Sequence, residues 1–214
     1  MKVILLLICI ICTYNTHSQI NTRYFLDDVE LIEYVTLEVC ADSINGVHTT
    51  NLIKEKTTYT NQSNINGLME FLKNEPYPQD GYLIDTCGNI TFSFINSKFE
   101  NLTLNKEECQ KCEKFKKGEY NYSHINFQDV TIKRRGNVQK EMTKKNKQTY
   151  DLKWISNCSY VLTYKRFSQA HLRKLIGEQI DVEIIKYVDE NTYAYRAKDF
   201  KGIIRFGIIN RLPK

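Results

Sequence analysis

Proline is scarce in this chain, with three residues in 214, and glycine is not common at nine. That scarcity excludes a Pro-rich spacer, a Gly-rich stalk and low-complexity sequence. Long apolar runs are scarcer still. The longest, residues 3–12, holds ten residues where a membrane-spanning helix needs about 20. Lys2 precedes it, polar residues 13–17 follow, and Ser18 supplies a small residue, so the pattern is a secretory signal with cleavage expected before Gln19. Ile11 before Cys12 is too bulky for lipoprotein processing. Losing Lys2 takes the formal charge from +5 to +4. That modest excess, spread along the chain, does not imply a nucleic-acid partner, and export argues against one. The chain is therefore expected to be exported, periplasmic or secreted.

Histidine is also sparse. Past the leader there are His48, His124 and His171, none with a carboxylate or a second histidine at ligand spacing. G-x-S-x-G, the P-loop and the dinucleotide fingerprint are missing. No catalytic residue, metal or cofactor is therefore indicated. The pairs Asp27-Asp28 and Glu107-Glu108 sit in polar stretches as solvated charges.

The residues that are present describe an α+β chain in two modules. Residues 1–18 form the leader and 19–33 an N-terminal segment. In residues 34–100, Val35, Leu37 and Val39 alternate with Thr36, Glu38 and Cys40 as a half-buried strand. Asn45-Gly46 offers the positive-φ residues of a tight hairpin, leading to a second strand from Val47. Ile65, Leu68, Met69 and Leu72 mark one face of a helix, with Asn61 or Ser63 as its cap and Pro76 barring its continuation. Ile90, Phe92 and Phe94 then alternate as a third strand. One helix on a three-stranded sheet buries each apolar face.

Residues 101–111 read as a linker, and 112–214 as an all-β antiparallel meander or small barrel. Strands are expected at 115–123, 127–135, 138–144, 148–155, 158–165, 179–188, 191–198 and 202–209, with a short helix at 168–176. Such a meander must curl or close to hide its edges. Tyr120, Tyr122, Trp154, Tyr160 and Tyr164 fall at even spacing and should line the interior, with a filled core as the default for a small barrel and a ligand cavity as the alternative.

The segments "YVTLEVCADSINGVHTTNLIKEKTTY", "INGLMEFLKNEPYP" and "GNITFSFINSKF" resemble the C-terminal domain of TonB-type proteins in order, turn and length, including the Tyr77-Pro78 step. The resemblance implies a periplasmic peptide-binding module whose third strand is an open sheet edge. Asn89, Thr91 and Ser93 would then receive an extended partner peptide. Residues 112–214 resemble a group of small exported proteins of Gram-negative bacteria through "CEKFKKGEY", "KWISNCSYVLTY" and "LIGEQIDVEII". Members of that group can carry a topoisomerase label, but this chain has neither an ATP site nor a carboxylate–metal cluster to match it.

Five cysteines follow the leader, an odd number in a compartment where cysteines pair. Cys109-Gln-Lys-Cys112 is a C-x-x-C, yet it precedes a strand rather than opening a helix, which disfavours redox chemistry. With strands one and three antiparallel neighbours, as the TonB-type resemblance implies, Cys40 lies near Cys87. Cys112, at the start of the second module, and Cys158, at the start of a strand inside it, are expected to form the other bond, with Cys109 left reactive.

Basic clusters at Lys114, Lys116 and Lys117, at Lys133, Arg134 and Arg135, and at Lys144, Lys145 and Lys147 fall at strand starts and hairpin tips. Converging on one end, they would attract an anionic glycan or lipid headgroup; solvated tips are the simpler reading. The leading expectation is a non-enzymatic exported binding or envelope-associated protein. The alternatives are a TonB-related energy transducer retained by its signal, and an exported enzyme whose residues meet only in three dimensions.

Overall fold

The computed structural model describes residues 22–74 and 83–213. The expected leader, Pro76 and the Tyr77-Pro78 step lie outside the described residues.

The first module is a four-stranded sheet carrying one helix. Its strands are β1 (Arg23–Leu26), β2 (Ile32–Asp42), β3 (Gly46–Leu52) and β4 (Thr86–Asn96), and the helix is α1 (Gln62–Asn74). The order across the sheet is β1-β4-β2-β3. Val35, Leu37, Val39, Ile90, Phe92 and Phe94 face α1 and bury against Ile65, Leu68 and Leu72, as strand alternation and helical spacing require. Asn61 caps the helix, its Oδ1 accepting from the amides of Ser63 and Asn64. At the β2–β3 turn only Gly46 takes positive φ, at 67°, while the Asp42 carboxylate holds the amides of Ile44 and Asn45.

β1 is a strand that alternation did not reveal. It pairs in parallel with β4, from Arg23 opposite Ser93 to Leu26 opposite Asn96. The open edge expected at Asn89, Thr91 and Ser93 is thus largely engaged. The Ser93 amide donates to the Thr22 carbonyl at 2.7 Å, and the Thr91 hydroxyl accepts from Asn126 at 2.9 Å. Asn89 stays exposed beyond the end of β1. A bare edge is a liability, and the chain covers it with its own N-terminal segment.

The second module is a closed barrel of eight strands: β5 (Gly118–Tyr122), β6 (Thr131–Arg135), β7 (Val138–Met142), β8 (Lys147–Trp154), β9 (Ser159–Phe167), β10 (Gln179–Tyr187), β11 (Thr192–Asp199) and β12 (Ile204–Arg211). Each strand pairs antiparallel with the next, and β12 closes onto β5. All eight expected strands are present, and residues Ala170–Leu175 form a 3₁₀ helix where a short helix was expected.

Two expectations fail between the modules. Residues 101–111 are no free linker, because α2 (Lys106–Lys111) forms within them, and Leu102 and Leu104 join buried clusters. The linker reading would also let the modules separate, and they do not. Ile32, Tyr34 and Ile95, on the sheet face away from α1, and Phe99, in the 3₁₀ turn after β4, bury against Ile185, Ala194 and Ile208 on the barrel wall. Arg196 adds a hydrogen bond to the Glu100 carbonyl, and Phe25 meets Phe206 edge-on.

Cys40 and Cys87 stand opposite each other on antiparallel β2 and β4 and are disulfide-bonded. The second bond corrects the expected one: Cys158 joins Cys109, not Cys112. Cys112 is a free thiol with no exposed surface, packed with Phe115 and Tyr120. Cys112 opens the 3₁₀ turn Cys112–Lys116, in which side chains three apart eclipse, and it is buried with Phe115, while Cys109, back in α2, stays near Ser156 in the β8–β9 turn. Burial pushes the Cys112 thiol up to about 11, and the Glu108 charge adds to the shift. For protein cleaved before Gln19, the expected result is that the native form resists thiol alkylation and the unfolded, unreduced form takes one label, at Cys112. Peptide mapping checks this, and a label on native Cys109 would contradict it.

A candidate ligand cavity in the barrel

The barrel is stoppered at one end and hollow at the other. At the stoppered end the 3₁₀ turn Cys112–Lys116 brings Phe115 against Tyr120, Ile132, Ile184 and Tyr193. The Cys109–Cys158 bond pins the preceding helix to the β8–β9 turn at this end. At the other end a cavity of about 610 Å³ enters the barrel. Its wall includes Tyr122, Tyr150, Tyr160, Tyr164 and Tyr195, with Leu162, Ile180 and Val182 supplying aliphatic surface. Its mouth is formed by the β5–β6, β7–β8, β9–β10 and β11–β12 connections, through Phe127, Asn146, Lys174 and Lys201.

The inward-facing strand positions explain both the walls and the charge within. On β7 the apolar residues Val138 and Met142 lie in phase with Lys140, while Gln139 and Glu141 turn into the barrel and are buried. On β6, Arg134 follows Ile132 inward and is 3% exposed, so it is not part of a solvated basic tip. Arg134 Nε donates to Gln139 Oε1 at 2.7 Å, and Gln139 Nε2 donates to Glu141 Oε1 at 2.7 Å. One amide thereby bridges the only acid and the only base among these buried side chains. The guanidinium also donates to the Tyr160 hydroxyl and the Phe115 carbonyl. Its Cζ lies 4.7 Å from the Tyr160 ring centre and 5.2 Å from that of Tyr120. A guanidinium remains charged when buried, and aromatic faces offset part of its lost hydration.

Glu141 is the group this network presents to the cavity. The Tyr122 hydroxyl donates to its Oε1 at 2.9 Å and the Tyr150 hydroxyl to its Oε2 at 3.3 Å. Burial pushes the Glu141 carboxyl above the ordinary range, against the hydrogen bonds from Tyr122, Gln139 and Tyr150 and the charge of Arg134, which pull it down. Burial and the nearby Glu141 charge drive the Tyr122 and Tyr150 hydroxyls up, so both stay neutral donors. Oε2 has the longer bond and therefore the spare capacity, since a carboxylate offers about four acceptor sites. At the mouth, burial raises the Asp199 carboxyl, but Arg205 and two backbone amides more than reverse this and hold it low. Across β11 and β12, Tyr195 lies over Gly207: a Cβ there would stand 2.6 Å from the tyrosine oxygen, so glycine leaves room for the ring.

Comparison with family models, curated proteins and solved structures finds no match. The geometry itself is therefore the ground for a functional reading.

The sequence-derived sites divide accordingly. Tyr122, Tyr160 and Tyr164 face the interior, as even spacing suggested, but there they line a cavity where a filled core was the default expectation, and Trp154 packs nearer the stopper with Cys158. Arg134, Gln139, Glu141, Tyr150 and Tyr195 were not singled out as inward-facing. The signal for the first three was available as phase with Ile132 on β6 and opposition across the β6–β7 hairpin, where Arg134 pairs with Gln139. The three basic clusters do not converge. Lys114 and Lys116 lie at the stoppered end, bound to Glu190 and Asn157, whereas Lys144 and Lys145 lie in the β7–β8 turn at the mouth. His124 is drawn under the sheet module, its ring centre 4.5 Å from that of Tyr34, and burial holds its pKa low. Among the described residues, no three His, Cys, Asp or Glu side chains gather as a metal site.

Proposed function

We propose that this is an exported, non-enzymatic binding protein whose barrel holds one small organic molecule. The observation that carries the reading is the cavity of about 610 Å³. Small-molecule sites are typically of about 300–1,000 Å³, mostly apolar, with a few polar groups that fix orientation. Eight-stranded barrels of this kind are just wide enough for one such ligand. Here the aliphatic and tyrosine walls would supply contact area, and Glu141 would fix the ligand's polar end. Export is supported by the two disulfides, which suit an oxidising compartment, and by the apolar stretch at residues 3–12. Among the described residues no helix is long and apolar enough to cross a membrane.

In this reading the sheet module braces the outer wall of β10, β11 and β12 instead of capturing a peptide. Its edge is filled by β1 and its second face is spent on the barrel. A TonB-type origin of the module is compatible with this role, and peptide capture would require β1 to leave.

A thermal-shift screen of small aromatic compounds against the wild type and Ala197→Trp tests the reading. Ala197 lines the cavity, and an indole there would occupy it. Several compounds should raise the melting temperature of the wild type and none that of the filled variant. Equal shifts in both proteins, or none in the wild type, would overturn it.

A further inference from the structure

We infer that the cavity selects an organic ammonium ion, a primary amine on an aromatic or alkyl body, through Glu141 and the surrounding tyrosine rings. This rests on the ligand-cavity reading and goes further by naming the charge of the ligand.

Three observations converge on a cation. The Glu141 carboxylate is buried in the cavity wall, and its Oε2 has a single protein donor among the described residues, at 3.3 Å. A protonated amine can donate to that oxygen with both partners charged, whereas a hydroxyl brings no charge of its own to the bond. Tyr122, Tyr150, Tyr164 and Tyr195 line the same space, and aromatic faces attract ammonium groups most strongly where water is excluded. The barrel already demonstrates this chemistry one layer deeper, where Arg134 sits among the rings of Tyr120, Tyr160, Trp154 and Tyr193. Arg134 does not preclude a second cation, because Gln139 stands between it and Glu141 and spends its amide on both. The remaining charges facing the cavity are at the mouth. Asp199 and Arg205 pair with each other at 2.8 Å, and Lys174 and Lys201 are exposed, where water and salt screen them. An anionic ligand would meet Glu141 at the end of its path with no free cation beside it.

The test is titration calorimetry at neutral pH with two probes of matched shape, phenethylamine and its uncharged counterpart 2-phenylethanol. The wild type should bind the amine at least about tenfold more tightly, and Glu141→Gln should remove most of that preference while changing the alcohol's affinity by no more than about twofold. Gln keeps the shape of Glu, and the alcohol's unchanged affinity would report an intact cavity. Equal affinity for the two probes in the wild type, or an amine preference that survives Glu141→Gln, would overturn the inference and leave the ligand-cavity reading standing. Failure of both probes to bind, together with a blank thermal-shift screen, would overturn both.

Discussion

Replacing Arg134 with methionine should destabilise the protein by about 3–5 kcal/mol at neutral pH, because it removes the cation that balances a buried carboxylate. The side chain is 3% exposed and spends its donors on Gln139, Tyr160 and Phe115, so its loss strands acceptors as well as charge. The sign of the pH dependence follows from Glu141. Burial already raises the Glu141 carboxyl in the folded state, and without Arg134 it should rise further. A carboxyl whose folded pKa lies above its unfolded value favours folding fully below the unfolded value. That contribution is lost as pH rises through the folded value. The Arg134→Met deficit should therefore shrink on acidification toward pH 4 and be widest at neutral pH. Adding Glu141→Gln to Arg134→Met should recover part of the loss at neutral pH, since the unpaired charge is gone. Urea melts of the four proteins across that range check both statements, and a deficit independent of pH would contradict the charge argument. By the same reasoning Glu141→Gln alone should also cost stability, because it leaves the buried Arg134 charge without its acid, but less than Arg134→Met, since aromatic rings still offset part of that charge.

The second large effect separates two cysteines three residues apart. Cys109→Ser should cost about 4 kcal/mol, the chain-entropy value for a loop of this size, because it opens the bond to Cys158 across a separation of 49 residues. Cys112→Ala should cost about 1 kcal/mol, since it removes one buried sulfur atom and no cross-link. Denaturant melts measure both. The reverse ranking would mean that Cys112 holds the bond to Cys158. Beyond stability, opening Cys109–Cys158 frees α2 and the turn carrying Phe115, so the stoppered end of the barrel should loosen first.

These two cases also show where the sequence was informative. Alternation and turn residues located β5 to β12 because each strand is short, regularly spaced and bounded by turn-forming residues. The order of β2, β4 and α1 was legible for the same reason, whereas the closeness of Cys40 and Cys87 followed from the TonB-type resemblance, which implied that β2 and β4 are antiparallel neighbours. β1 was not, because four residues, Arg23-Tyr24-Phe25-Leu26, are too few to show a period. Its paired residues on β4 lie 70 positions further along the chain, as Arg23 opposite Ser93. Cys112 was assigned by its position at the start of a module, whereas its burial beside Phe115 decides its fate.

The candidate site was hidden by an inversion of the usual rule. Gln139 and Glu141 are polar residues that the usual rule would turn outward on β7, and Arg134 was placed in a solvated basic tip. In the closed barrel they face inward and satisfy one another, an arrangement that depends on pairing β6 with β7 and on Tyr122, Tyr150 and Tyr160 arriving from three other strands. Such a network cannot be read one strand at a time. The same closure turned a row of evenly spaced tyrosines into the lining of a cavity.

The central claim is that the hollow end of the barrel is the binding site, and tyrosine ring resonances report on it most directly. In a two-dimensional NMR titration with phenethylamine, the ring signals of Tyr122, Tyr150, Tyr164 and Tyr195 should shift together and saturate at one dissociation constant. Those of Tyr24, Tyr34 and Tyr59 in the sheet module should stay in place. Shifts confined to the sheet module, or spread over surface residues without saturation, would contradict the account.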